Sequence, residues 1–149
     1  MKFVFIPLLL LSACWLPACN SASKTNNTNQ SATSTISGKR WKLVELNGQP
    51  VQVQPPDGKQ PYILFEEATN KVTGNGGCNG FGGTYQLQKD NSIRLSQLIS
   101  TKMACNSLAI ETQFMKALET TDHFKIINDT LSFHKGEAAS MANFIAVAK

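Results

Sequence analysis

The sequence predicts an α+β fold: a mostly antiparallel, strongly curled or barrel-like sheet with one main helix. Several short segments alternate apolar and polar residues, as half-buried strands do. Residue pairs typical of tight turns, such as Asn47–Gly48 and Asn128–Asp129, join neighbouring segments and favour antiparallel hairpins. Only residues 106–120 change to helical spacing, and one helix among many short strands indicates a curled or barrel-like sheet.

The first half of the domain is predicted to consist of strands and turns. Residues 40–46 alternate, which places Trp41, Leu43 and Leu46 on the buried side of a strand. The Asn-Gly pair then turns the chain, and residues 51–61, with three prolines, are expected to form a loop. Further short strands are expected at residues 62–65, 71–74 and 83–88.

The second half is predicted to contain two more hairpin turns and a closing strand. Residues 89–91 turn the chain into a strand that carries Ile93 and Leu95. Residues 124–127 and 131–133 are apolar segments on either side of the Asn-Asp turn. The tail, residues 141–147, is apolar enough to close the sheet.

The segment 106–120 is predicted to be the main helix, because its interior lacks glycine and proline. Asn106 or Ser107 would cap its start, and Glu111 lies near its positive end. The face expected to pack on the sheet carries Leu108, Phe114, Met115 and Leu118.

Residues 1–18 are expected to be a lipoprotein signal peptide. Lys2 provides a positive start, and the apolar run 3–11 that follows is too short to be a stable spanning helix. Small residues and a cysteine come next, in the order of a lipobox. A plain secretory signal is the alternative.

Two cysteines compete for the lipid. Cys14 follows Leu-Ser-Ala, the better lipobox, but it would leave an unusually short signal. Cys19 follows Leu-Pro-Ala, gives an ordinary signal length and is followed at once by polar residues. We favour Cys19, with Cys14 as the alternative. Because a lipoprotein cysteine carries two or three acyl chains, the membrane anchor is expected to be permanent.

A polar tether, residues 19–35, is expected between the lipid and the folded domain, residues 36–149. Twelve of the seventeen tether residues are Asn, Ser or Thr, so the segment cannot bury apolar surface and is expected to be disordered. Asn20, rather than an aspartate, follows Cys19. This favours the outer membrane, with the domain facing the periplasm.

Composition indicates one globular domain and argues against a nucleic-acid partner. The 149 residues are 42% hydrophobic and 16% charged, which is enough for a single core. The formal charge is +4, but the lysines are scattered and no three basic residues are consecutive. A nucleic-acid-binding surface needs its basic residues concentrated on one face.

The glycine-rich segment 74–83 first suggests a phosphate-binding loop. It lacks a Gly-Lys-Ser/Thr ending and a G-x-G-x-x-G frame, and it lies between strands instead of opening a helix. The favoured interpretation is conformational, since glycines allow tight turns and bulges between two strands.

Cys78 and Cys105 are the two cysteines of the predicted domain. An even pair in an exported domain suggests a disulfide, worth roughly 3–4 kcal/mol in the chain-entropy model. Two buried thiols or one reactive thiol are the alternatives. In the expected fold the bond would join the glycine-rich turn to the start of the helix.

No catalytic or metal-binding constellation is evident in the sequence. His123 and His134 lack ligand spacing with each other or with the cysteines, so strand or turn positions are favoured and no metal is expected. A cysteine–histidine nucleophile stays open, because such partners meet in space rather than in sequence. No G-x-S-x-G occurs, and Glu66–Glu67 is interpreted as a solvated strand end.

The order of several motifs resembles the META domain, or HslJ-like, family of bacterial envelope proteins. Residues 41–48 resemble the family's opening strand, and Phe65 with residues 72–85 resembles its glycine and Cys-Asn centre. Residues 101–105 look like its Thr-x-Met-x-Cys signature, and residues 111–118 are similar to the helix that follows. The matching motif residues are Gly77, Cys78, Asn79, Gly83, Tyr85, Thr101, Met103 and Cys105.

The resemblance covers about residues 38–135 and implies a compact, barrel-like α+β domain. It also implies a loose association with heat-shock response and with tolerance of the antibiotic novobiocin. It brings no established catalytic residues, so none is transferred. The chain departs from the family in its tail, where residues 135–144 are indistinct and Ala-rich.

The sequence therefore predicts a non-enzymatic envelope lipoprotein, without a cofactor, that acts in envelope stress or antibiotic tolerance. A protein-binding or inhibitory module of the envelope is a second hypothesis, since a small tethered domain suits partner capture. A thiol-dependent enzyme using Cys78 or Cys105 is a third.

Overall fold

The computed structural model describes residues 35–52 and 58–147. The predicted signal peptide, both candidate lipidation cysteines and the tether up to residue 34 lie outside this part of the chain. Within the described part, no helix is long and apolar enough to cross a membrane.

The described residues form nine β-strands, one α-helix and one short 3-10 turn, residues 89–91. Each predicted strand is present within a few residues of its expected limits, and a two-residue strand, β2, was not predicted. The elements in chain order are β1 (Arg40–Leu46), β2 (Gln49–Pro50), β3 (Tyr62–Glu66), β4 (Lys71–Asn75), β5 (Gly80–Leu87), β6 (Ile93–Ser100), α1 (Leu108–Thr120), β7 (His123–Ile127), β8 (Thr130–His134) and β9 (Ala142–Val147).

All strand pairs are antiparallel and belong to one sheet, in the order β6-β5-β4-β3-β1-β9-β8-β7, with β2 paired to β1. The sheet curls so strongly that its two edge strands meet at one end. Ser92 forms an isolated bridge with His123 there, and the amide of Ile93 donates to the carbonyl of Asp122 at 2.9 Å. The predicted fold class, an α+β domain with a strongly curled antiparallel sheet, is confirmed.

The tail looks indistinct in sequence but forms the predicted closing strand. β9 pairs with β1 along its whole length, from Arg40 opposite Val147 to Leu46 opposite Ala142. A bulge between Leu43 and Glu45 shifts the register, which returns Leu46 to the buried face of β1.

Helix α1 lies over the open side of the curled sheet. The ring of Phe114 packs on Phe81 of β5 and on Phe144 of β9, at centroid distances of 5.8 Å each, and these strands belong to different halves of the sheet. Phe114 and Leu118 are fully buried. The helix therefore completes the core that the sheet leaves open.

Two expectations about the helix are wrong in detail. Leu108, predicted to face the sheet, is 44% exposed, whereas Glu111 of the same first turn is only 5% exposed. Ser107 occupies the capping position, but its hydroxyl makes no capping hydrogen bond. The helical periodicity predicted that Leu108 faces the core. Instead, Asn79 on another segment hydrogen-bonds the Glu111 carboxylate and holds it in the interior.

Candidate functional site

The glycine-rich turn between β4 and β5 is folded inward, and residues 75–79 are all buried. Its amides are directed at the protein itself. The amide of Gly77 donates to Asn75 Oδ1 at 2.9 Å, and the amide of Asn79 donates to Glu111 Oε2 at 2.6 Å. Gly77 has a φ of 114°, which L-residues rarely adopt. The turn is therefore a structural device, in agreement with the favoured interpretation, and it does not present amides for a phosphate.

Asn79 is the hub of this centre, and its side chain uses its full hydrogen-bonding capacity. Its Oδ1 accepts from the Thr101 hydroxyl at 2.8 Å and from the Met103 amide at 2.7 Å. Its Nδ2 donates to the Met103 carbonyl at 3.1 Å and to Glu111 Oε1 at 2.8 Å. One amide side chain thus joins the turn, the helix and the segment between β6 and α1.

Glu111 brings a carboxylate into this buried position in the first turn of the helix. Both of its oxygens accept hydrogen bonds from Asn79, and in the part of the chain that the structure describes no cation pairs with it. The positive end of the helix stabilises a negative charge there. Gly76 lies so close that a Cβ at that position would be 2.6 Å from Glu111 Cγ.

A disulfide joins Cys78 to Cys105, as predicted, with the two Cα atoms 6.1 Å apart. The bond connects the glycine-rich turn to the entrance of the helix, and both thiols are consumed. In this oxidised form neither cysteine is available as a nucleophile.

The predicted motif residues do not form one cluster. Six of them lie together near the start of the helix. The glycine-rich turn contributes Gly77, Cys78 and Asn79, and the segment between β6 and α1 contributes Thr101, Met103 and Cys105. Two others serve the sheet. Gly83 lies at a bulge opposite β6, and Tyr85 packs against Phe65 with its hydroxyl 3.1 Å from that of Ser37.

A groove of about 770 Å³ lies beside this centre, between α1 and the segment from Ser100 to Ala104, which we call the linker wall. Asn79 fixes the backbone of Met103, but the Met103 side chain is 55% exposed and lines the groove. Leu108 and Met115 line the opposite side. The groove therefore exposes apolar side chains on a rigid support, as ligand sites do.

Neither the groove nor a hydrogen-bonded series at the meeting edges of the sheet was predicted from the sequence. Ser92 Oγ lies 3.2 Å from His123 Nε2, and His123 Nδ1 lies 2.8 Å from Asp122 Oδ1. Hydrogen bonds from His123 and from the backbone amide of Gly136 lower the pKa of Asp122. Because an ionised carboxylate can only accept, Nδ1 is the donor in the contact with Asp122.

The order serine, histidine, aspartate is that of a hydrolytic triad, but the surrounding backbone favours a structural role. The amide of Ser92 donates to the carbonyl of Lys89, and the amide of Ile93 donates to Asp122. These two amides are therefore not available as oxyanion donors. The series instead fastens β6 to β7, where the edges of the sheet meet.

The second histidine is also explained by structure. His134 lies in β8, its carbonyl accepts from the Asp122 amide at 3.0 Å, and its Nδ1 lies 3.1 Å from the carbonyl of Ala138. Among residues 35–52 and 58–147, no three His, Cys, Asp or Glu side chains are grouped so as to hold a metal ion.

Comparisons with known proteins place the chain in a family. The model of the META domain matches residues 34–147. An NMR structure of a protein from Burkholderia xenovorans is similar in fold, with a TM-score of 0.62 at 20% identity, over 97% of this chain and 100% of that one. A DUF4847 family protein from Bacteroides vulgatus has a TM-score of 0.58 at 17% identity, over 79% of this chain and 99% of that one.

These identities are low, so the solved structures establish the fold alone. No curated protein sequence matches the chain significantly. The family match covers the whole curled sheet, the disulfide and the helix. The chain belongs to the META domain family.

Proposed function

We propose that the protein is a lipid-anchored envelope protein whose META domain acts by binding, without a catalytic step, in tolerance of envelope stress or of an antibiotic. The observation that supports this proposal is the groove beside α1. Met103 is exposed on a wall fixed by Asn79 and the disulfide, and exposed Leu108 and half-buried Met115 line the opposite side. Rigid, partly apolar concavities are the usual form of a binding site.

The alternative of a thiol-dependent enzyme receives less support. Cys78 and Cys105 are bonded to each other, and Asn79 and Glu111 use their hydrogen bonds on the fold. A nucleophile needs a free thiol and an adjacent base. The oxidised pair argues for export as well, because disulfides persist outside the reducing cytosol.

Attachment to the envelope rests on the sequence of residues 1–19. A lipobox, a signal-like apolar run and a polar tether together favour a lipid anchor at Cys19, in the outer membrane and facing the periplasm. A protein partner in the envelope is the second candidate, because the same groove would accommodate apolar side chains of a partner protein.

Complementation of a deletion strain tests the binding role. Leu108→Asp places a charge in the groove at an exposed position and leaves the core intact. We expect it to fail to restore tolerance of the stress that the deletion exposes. Ile127→Asp, at an exposed apolar position that does not line the groove, is the matched control and is expected to restore it. Full complementation by both variants would contradict a role for the groove.

A further inference from the structure

The apolar part of the groove has the chemistry of a hydrocarbon-binding surface. Two of its three large apolar side chains are methionines, Met103 and Met115, whose flexible thioethers adapt to irregular ligands. Leu108 adds a third, and its 44% exposure leaves apolar surface uncovered. Covering such surface with an apolar ligand removes it from water and is favourable.

The charges in the groove distinguish the two ends of a ligand. Lys102 on the linker wall and Lys116 on the helix both line the groove. In the described part of the chain neither ammonium group takes part in a hydrogen bond or ion pair. Of the two carboxylates that also line it, Glu111 is buried and bonded to Asn79, which leaves Glu119 facing the opening. The two ammonium groups outnumber the one exposed carboxylate, and this excess of positive charge at the opening favours an anionic head group.

The helix sets the length of the apolar part. Leu108, Thr112, Met115 and Lys116 lie on one face at helical spacing and line the groove together. With a rise of 1.5 Å per residue, Leu108 and Lys116 are about 12 Å apart along the axis. This distance suits a short hydrocarbon chain that ends in one charged group.

We propose that the groove binds a single anionic amphiphile: an acyl chain lies along Met103, Leu108 and Met115, and its carboxylate or phosphate lies at Lys102 and Lys116. This proposal rests on the proposed binding function and names the ligand class of the same groove. The ligand is taken as a free monomer and not as part of a bilayer surface.

Methyl NMR tests the proposal with decanoate as the probe. The protein is the exported full chain with Cys14→Ser and Cys19→Ser, which removes any lipid. It is labelled at the methionine and isoleucine methyl groups. We expect the Met103 and Met115 methyl signals to shift and saturate with decanoate. Ile127 on β7 does not line the groove, and its methyl signals are expected to change little. Each methylene added to a shorter acid should tighten binding by up to about fourfold until the groove is filled.

Charge variants test the head group. Lys102→Glu and Lys116→Glu should each weaken decanoate binding at least fivefold, while Lys125→Glu, an exposed lysine on β7, should leave it unchanged. Decyltrimethylammonium, with the same chain and a cationic head, should bind more weakly than decanoate. Circular dichroism of the exposed-site variants checks that the fold is intact.

Several outcomes would overturn the proposal. Equal shifts at Ile127 would indicate unspecific detergent action, and equal binding of the cation would remove the role of the lysines. Binding to phosphatidylglycerol vesicles without any decanoate shift would indicate a membrane-docking surface instead. If Leu108→Asp fails to complement but decanoate does not bind, the groove functions with another ligand and only this inference fails.

Discussion

At the residue scale, Asn79 decides the structure of the centre. The glycine-rich turn holds it in a buried position, where its side chain hydrogen-bonds backbone groups of Met103 and the carboxylate of Glu111. A buried polar group is costly if its partner is lost, and the cost is greater for a charged partner. The burial of Glu111 is therefore conditional on Asn79, although the two residues are 32 positions apart.

We expect Asn79→Ala to lower the free energy of unfolding by about 3 kcal/mol, because the Glu111 carboxylate and the Met103 backbone lose buried hydrogen bonds. Urea denaturation monitored by fluorescence measures the change. Asn106→Ala, at an exposed asparagine close to the same helix start, is the control and is expected to change stability by less than about 0.5 kcal/mol. Equal effects of the two substitutions would show that the hub is unimportant.

Asp122, where the edges of the sheet meet, is expected to make the free energy of unfolding depend on pH. Hydrogen bonds from His123 and the Gly136 amide lower its pKa below the ordinary value of 3.8. A carboxyl group whose pKa is lowered by folding stabilises the fold above its unfolded pKa, and this contribution is lost as the pH falls through the folded pKa. Wild type should therefore be more stable than Asp122→Asn near neutral pH, and the difference should shrink below about pH 4.

The measurement is a series of urea titrations of both proteins between about pH 7 and pH 3. Asp122 is solvent-exposed, so salt is expected to weaken the effect. A stability difference that stays constant over this range would assign the effect of the substitution to lost hydrogen-bond geometry and not to charge.

At the element scale, the connection from β6 to β7 contains the linker wall, the disulfide-bonded Cys105 and helix α1. The linker wall is fixed at Thr101 and Met103 by Asn79, and the disulfide holds Cys105 at the helix entrance. The helix then crosses the open side of the sheet and returns the chain to the point where β6 and β7 meet. The groove is thus a consequence of how this connection is anchored at both ends.

Loss of the disulfide should destabilise the domain clearly. We expect Cys105→Ser to lower the free energy of unfolding by roughly 3–4 kcal/mol, because the unfolded chain regains the loop entropy that the crosslink removed. Cys105 is only partly buried, which makes serine tolerable at this position. Urea denaturation of wild type with and without a reductant provides the comparison.

Reduced wild type and the Cys105→Ser variant should unfold at similar urea concentrations, since both lack the same crosslink. If the reductant leaves the midpoint of wild type unchanged, the cysteines are not bonded in the exported protein. Such a result would favour the reactive-thiol hypothesis, and titration would detect Cys78 and Cys105 as two free thiols.

At the scale of the whole molecule, the curled sheet and its helix form one unit, and Ile36 is the first buried residue in the part of the chain that the structure describes. The indole nitrogen of Trp41 donates to the Ile36 carbonyl at 2.7 Å, and both side chains are buried. This contact fastens the start of the domain to β1. Any tether between a lipid and the domain would therefore end near this residue.

The lipid anchor is tested in growing cells. We expect labelled palmitate to be incorporated into the wild-type protein, and Cys19→Ala to abolish the label. Abolition by Cys14→Ala alone would move the lipidation site to the earlier cysteine. Persistence of the label in the double variant, or its absence from wild type, would contradict the lipoprotein prediction.

The sequence by itself determined the elements that depend on local pattern. Alternation predicted β1 with Trp41 and Leu43 inside, and turn residues predicted the hairpins at Asn47–Gly48 and Asn128–Asp129, where Asn47 and Asn128 have positive φ values. Such patterns arise from the geometry of a few consecutive residues, so they can be read without knowing the rest of the fold.

Only the tertiary structure decided which distant groups meet. Strand β5 begins at Gly80, although glycines show no alternation, because residues 80–84 pair with β4. Glu111 is buried and Leu108 is exposed because Asn79, on another segment, supplies hydrogen bonds to the carboxylate. The groove and the Ser92–His123 contact likewise require the curl of the sheet, which brings together residues far apart in the chain and leaves no trace in their local spacing.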